Sequence, residues 1–341
     1  MILFQSVVGW FLILWTFLDA FEQVILPRNE AHRFRISTLA LRITWGPWKA
    51  MARRMKSAER RGSFLGHYGP LLVLITLSAW DLALVLGFSL GMWAAREGSF
   101  VTRLYVSGSN FFTLGLSIPP VTDSARLVTL VEAGVGLAFL AVIIGYLPVY
   151  YSAYSSRETF IPRFQAAVGN PSSASVMVGR LTQLGDKGLL LQFLLESQTW
   201  AADVLQSHRS YKLVALYGPQ EGNESWLVVL TTLLDASALW ITLPQNGPQL
   251  GSPVTFEVAH RVVEDLGRAF RLRPQSPPVD RLPRPEFQRL CQTLSAAGMV
   301  LSESQDTERK LAQLRGIYEP HVYALSRFLY VELPPWIPDV A

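Results

Sequence analysis

The residues of this chain best suited to chemistry run from Ser107 to Pro120, "SGSNFFTLGLSIPP". Hydroxyls and glycines at this density suit coordination better than bond making. Backbone carbonyls freed from helical geometry can replace the hydration shell of a cation. Elsewhere the sequence holds no P-loop, no dinucleotide fingerprint, no HExxH and no GxSxG. Its five histidines, at 32, 67, 208, 260 and 321, are scattered singly, without ligand spacing on one helix face. Cys291 is the single cysteine, which excludes a disulfide within the chain and a cysteine-based zinc site. No enzymatic activity, cofactor, bound metal or nucleic-acid partner is expected.

The elements around that stretch are strongly apolar. Half of the 341 residues are hydrophobic and only 16% are charged, a composition that points to membrane spans. Met1 to Leu18 is uncharged, and its apolar character continues to Leu26 around Asp19 and Glu22. A secretory signal is the rival reading, but no basic leader or small-residue cleavage site accompanies it. A second segment runs from Gly69 to Ala95 with one charge, Asp81, and a third from Leu127 to Tyr151 with one charge, Glu132. Each is long enough for a hydrocarbon core of about 30 Å.

Charge sets the expected orientation. Pro27 to Gly66 holds ten Lys or Arg against Glu30 and Glu59, a net +8, whereas Arg96 to Asp123 sums to zero. Basic loops stay in the cytoplasm. The 27–66 linker is therefore expected inside, the 96–123 connection and the N-terminus outside, and the C-terminus cytoplasmic. Trp45, Trp48, Leu39 and Ile43 among the cations suit a helix at headgroup level, acting as a topogenic anchor or as a contact for anionic lipids.

The external connection itself is semi-apolar. Phe100 to Phe112 reads as a short helix, "TLGLS" as a tight turn, and Pro119 and Pro120 bar further helix. The chain is expected to dip in as a helix and return extended. Non-helical backbone at membrane depth is tolerated only where protein buries it or water lines it, and a re-entrant loop between two spans is the architecture of a cation pore.

Ser109 to Ser117, followed by "RLVTLVEAGVGLAFLAVIIGYL", resembles the pore module of the bacterial two-transmembrane potassium-channel-like family. The match covers roughly residues 69–154, about a quarter of the chain. The resemblance implies an inner-membrane protein whose selectivity filter is Thr113, Leu114, Gly115, Leu116 and Ser117, conducting a monovalent cation such as potassium. The family's run is Thr-Val-Gly-Tyr-Gly-Asp; here Leu116 stands for Tyr, Ser117 for the second Gly and Ile118 for Asp. One loop cannot enclose a pore alone, so a homotetramer follows from the architecture.

Other residues carry two readings each. Thr113 lines the innermost ion site, as the match implies, or bonds local backbone. Gly134, Gly136 and Gly145 form a gating hinge or serve close helix packing, which is also the role expected of Gly87 and Gly91. Asp81 and Glu132 are intramembrane acids that must face protein or water. Glu132 pairs with the back of the filter loop or acts on permeation directly.

From residue 155 onward, 17 basic and 18 acidic residues give an ordinary soluble balance, and four stretches show helical spacing. An all-α cytoplasmic domain over 155–341 is expected, with loops at 243–253 and 271–287. Trp226 to Leu243, with Asp235 midway, has the length of a minimal span but reads better as the buried central helix of that domain. The expected whole is an all-α membrane protein with three transmembrane helices, a re-entrant pore loop between the second and third, and a cytoplasmic helical domain. Its divisions are 1–26, 27–66, 67–154 and 155–341.

Overall fold

The computed structural model describes residues 2–24, 35–91, 99–115, 122–169, 171–183, 185, 187–220, 224–243, 251–299 and 301–338. Among these the regular structure is entirely helical. The chain divides into two compact units, Met1–Ser152 and Ala153–Ala341. Three helices are long and apolar enough to cross a membrane: α1 (Ile2–Val24), α4 (Tyr68–Gly91) and α6 (Asp123–Val168). Residues 92–95, the end of the expected second span, and 96–98, the start of the connection after it, lie outside the described residues. The third helix continues well beyond Tyr151, so the expected boundary at 154/155 falls within α6.

In the first unit α1 packs along α4 with their backbones in near contact. A β-carbon on Gly9 would lie 2.2 Å from the Gly91 nitrogen, and one on Gly87 would lie 2.6 Å from the Ile13 side chain. Small residues allow this approach, and with it the van der Waals contact that associates helices where water supplies no driving force. Asp19 shows how a charged group is accommodated in α1. Its buried carboxylate accepts from the Trp80 indole N–H at 2.8 Å and from the Ile36 amide at 3.3 Å.

The basic linker packs onto α4. Its described part forms α2 (Ile36–Arg53) and α3 (Ala58–Gly66). Ser57 caps α3 by accepting from the Arg60 amide. Thr44 and Tyr68 share a hydroxyl hydrogen bond of 2.9 Å, Trp45 packs on Tyr68, and Trp48 stacks on Phe64 with centroids 4.2 Å apart. Between α4 and α6 lies α5 (Phe100–Phe111), N-capped by Ser99. Outward, α1 presents Leu3, Phe4, Phe11 and Leu14, and α6 presents Leu127, Leu130, Leu137 and Ile144. Apolar side chains exposed at this density are suited to lipid or to further protein.

The second unit comprises the end of α6, α7 (Ala174–Gln183), α8 (Lys187–Ser210), a 3-10 turn (Lys212–Leu216), α9 (Trp226–Thr242), α10 (Ser252–Ala269), α11 (Arg284–Ala296) and α12 (Gln305–Leu329). Its core is α9, which packs against α7, α10 and α12. Fifteen of its 17 residues are buried, Asp235 among them, so the segment of near-span length is enclosed by this chain's own helices. The loop expected over 271–287 is shorter than its proline content suggests. Pro285 stands in the first turn of α11, where its missing amide has no helical partner to lose.

Candidate functional site

Short-range signals build α5, and buried polar contacts fix it. Ser99 accepts from the Thr102 amide at 3.3 Å and starts the helix. Its buried side includes Arg103, Ser107, Ser109, Asn110 and Phe111, an unusually polar face for a helix set between apolar ones. The Ser107 hydroxyl bridges to both neighbours: it lies 2.8 Å from the Val85 carbonyl of α4 and makes a short hydrogen bond to the Glu132 carboxylate of α6. Glu132 is fully buried. Its position within an otherwise apolar span is thus explained by the helix it holds.

The C-terminal end of α5 meets α6 through backbone. A β-carbon on Gly136 would stand 1.8 Å from the Phe111 carbonyl oxygen. Gly136 lies 13 residues beyond Asp123, so this contact falls about 20 Å along α6 from its start. Gly134 and Gly145 differ: added β-carbons there would meet nothing within 4 Å. The three glycines therefore do not act alike, and Gly136 is a close-packing position.

Beyond Phe111 the chain leaves the helix by a Schellman turn. The Leu114 amide reaches back to the Ser109 carbonyl at 2.8 Å and the Thr113 amide to the Asn110 carbonyl at 3.0 Å. The turn requires a left-handed residue, and that residue is Thr113, at φ 55°. A β-branched residue is disfavoured there. Gly115 follows at φ 66°, a conformation glycine adopts freely. Phe112, Thr113, Leu114 and Gly115 are all exposed. The remaining filter candidates, Leu116 and Ser117, lie outside the described residues.

Asp81 is elsewhere. It sits midway along α4, half-buried, and no hydrogen bond or ion pair reaches it among the described residues. An acid in an apolar run marks Glu132 as needing a partner, but its partner, Ser107, is not marked. A serine in a semi-apolar helix carries no signal of what it bonds.

A second polar cluster lies inside the helical unit. Arg281, from the irregular segment before α11, grips Asp235 through two nitrogens at 2.7 and 3.3 Å and also reaches Glu319 at 3.2 Å and the Pro334 carbonyl at 2.8 Å. Arg315 pairs with Glu319 and Asp280, Tyr318 donates to Asp235, and Trp336 lies beside both arginines. Burial works against the Arg281 cation, but Asp235 beside it prevails and holds the guanidinium above its ordinary range. Burial, with the Asp235 charge, drives the Tyr318 phenol well above its usual value. The charged groups of the cluster are paired with one another and join α9 and α12 to the C-terminal segment. No group of three or more metal-ligating side chains is present among the described residues.

Comparison with family models, with characterised proteins and with solved structures gave no match.

Proposed function

We propose that this chain is one subunit of a homotetrameric, cation-conducting membrane channel, with one pore loop per subunit and a helical regulatory domain on the cytoplasmic side. The observation that carries this is the exposed non-helical backbone from Phe112 to Gly115, at the end of a short helix held between α4 and α6. In hydrocarbon such backbone persists only where other protein covers it or water lines it. Copies gathered around an axis would supply both. The carbonyl end of α5 favours a cation in front of it, and Gly115 takes a left-handed backbone that glycine enters freely.

The permeant ion in this proposal is monovalent and potassium-like. The N-terminus is external and the C-terminus cytoplasmic, in a bacterial inner membrane. Leu116 and Ser117 depart from the family's Tyr-Gly, so the filter is held less tightly and selects weakly. The same departure favours one alternative, a non-conducting scaffold or sensor that keeps a degenerate pore fold.

Assembly is the first test. Chemical crosslinking of the purified chain in mild detergent should give a ladder ending at four subunits. A ladder ending at two would contradict a single-loop pore, because two loops cannot encircle an ion.

A further inference from the structure

We propose that α2 and α3 form a docking surface for anionic lipid headgroups, independent of ion conduction. Leu39, Ile43 and Met51 of α2 are 51%, 62% and 53% exposed, while Trp45 and Ala52 on the other side are buried. At about 100° per residue, Leu39, Ile43, Gly46 and Ala50 share one face, with Arg42 and Arg53 along one edge and Arg54 along the other. All three arginines are exposed. An apolar strip edged by cations is the pattern of a helix lying in a headgroup layer.

Its location fits. The Thr44–Tyr68 hydrogen bond and the packing of Trp45 and Trp48 on Tyr68 tie α2 to the N-terminal end of α4, a helix long and apolar enough to span, while the Trp48–Phe64 stack ties α2 to α3. Aromatic rings at the end of a span belong at the interface. On α3, Arg60, Ser63, Phe64 and His67 line an open depression. His67 engages the Ser63 carbonyl through Nδ1 at 2.7 Å, which fixes its ring in the lining of this depression.

Two other occupants fit less well. A second copy would oppose one basic face to another, which charge repulsion disfavours. A purely topogenic role needs cations near a span but does not need leucine and isoleucine exposed on the same face. An anionic leaflet uses both features.

The test uses the purified full-length protein in detergent, offered equal amounts of phosphatidylglycerol and phosphatidylcholine, with retained lipid counted by native mass spectrometry. The wild type should retain the anionic lipid with a preference of about tenfold. Arg42→Gln/Arg53→Gln/Arg60→Gln should bring that preference to about twofold or less. Leu39→Ser/Ile43→Ser keeps every charge and should lower retention of both lipids. Equal retention of the two lipids by the wild type would overturn the proposal, as would a wild-type preference in the triple arginine variant. Displacement of the lipid by millimolar inorganic phosphate would also overturn it, since the site would then be one for a small anion.

Discussion

Phe111 and Gly136 touch through backbone alone: the carbonyl oxygen of one occupies the place where a side chain on the other would begin. This contact sets how deeply the end of α5 seats against α6, and therefore where the residues after it emerge. A methyl group at position 136 cannot be absorbed by a rotamer change, because the obstacle is main chain. Gly136→Ala should cost roughly 1–3 kcal/mol or more, seen as a lower thermal midpoint in detergent. Gly145→Ala, with open space around it within the protomer, should be neutral or slightly stabilising through helix propensity.

The buried pair in the helical unit makes a sharper stability prediction. Asp235 is fully buried, and its partner Arg281 is nearly so. Asp235→Ala removes the closer of the two carboxylates on Arg281, leaving Glu319 alone to offset its buried charge, and should cost about 3 kcal/mol. Removing both charges together should cost less than the sum of the single changes. Hydrogen exchange of the α9 amides would report both, since the most protected amides open only with the unit.

Acid should weaken the helical unit through His208. Burial, with Arg157 nearby, holds this imidazole well below its ordinary value of about 6.5. The unfolded chain therefore takes up the proton first. The stabilisation is fully present above about pH 6.5 and is lost as pH falls from there toward the folded value, by up to about 1.4 kcal/mol per pH unit. His321, lowered by burial and then by His260, adds in the same direction. His208→Gln should flatten, without abolishing, the fall in urea midpoint between about pH 7 and about pH 5. An unchanged slope would mean that the ring is not the group responsible.

What the sequence revealed and what it hid divide by range. The long apolar helices and α5 were legible because the hydropathy of each run is set by the residues that form it. The central α9 was legible because an acid inside an apolar run of 17 residues suits a protein core better than lipid. The partners were not legible. Ser107 meets Glu132 across 25 residues and Asp235 meets Arg281 across 46, and such pairings exist only once the helices are packed. Arg281 was further disguised by its proline-rich surroundings, where a cation ordinarily reads as solvated. Nor does the residue type of Thr113 announce its left-handed conformation.

Orientation can be checked without current. In an outside-facing connection, Thr102→Cys, at an exposed position of α5, should react with an impermeant thiol reagent applied to intact cells. Ser63→Cys on α3 should react only after the membrane is opened. The native Cys291 gives little background, being buried with its thiol pushed up to about 11. Labelling in the reverse pattern would invert the topology and place the basic linker outside.

The most direct test of a conducting pore is the reversal potential of the purified protein in a planar bilayer under potassium/sodium bi-ionic conditions. A weakly selective filter predicts current, with sodium passing at a substantial fraction of the potassium rate. Leu116→Tyr/Ser117→Gly should shift the reversal toward potassium, because it installs the tyrosine and glycine of a potassium-channel filter. A wild-type reversal near ideal potassium selectivity would contradict the weak-filter argument. Absence of current in both proteins, with tetramers intact, would contradict the channel itself.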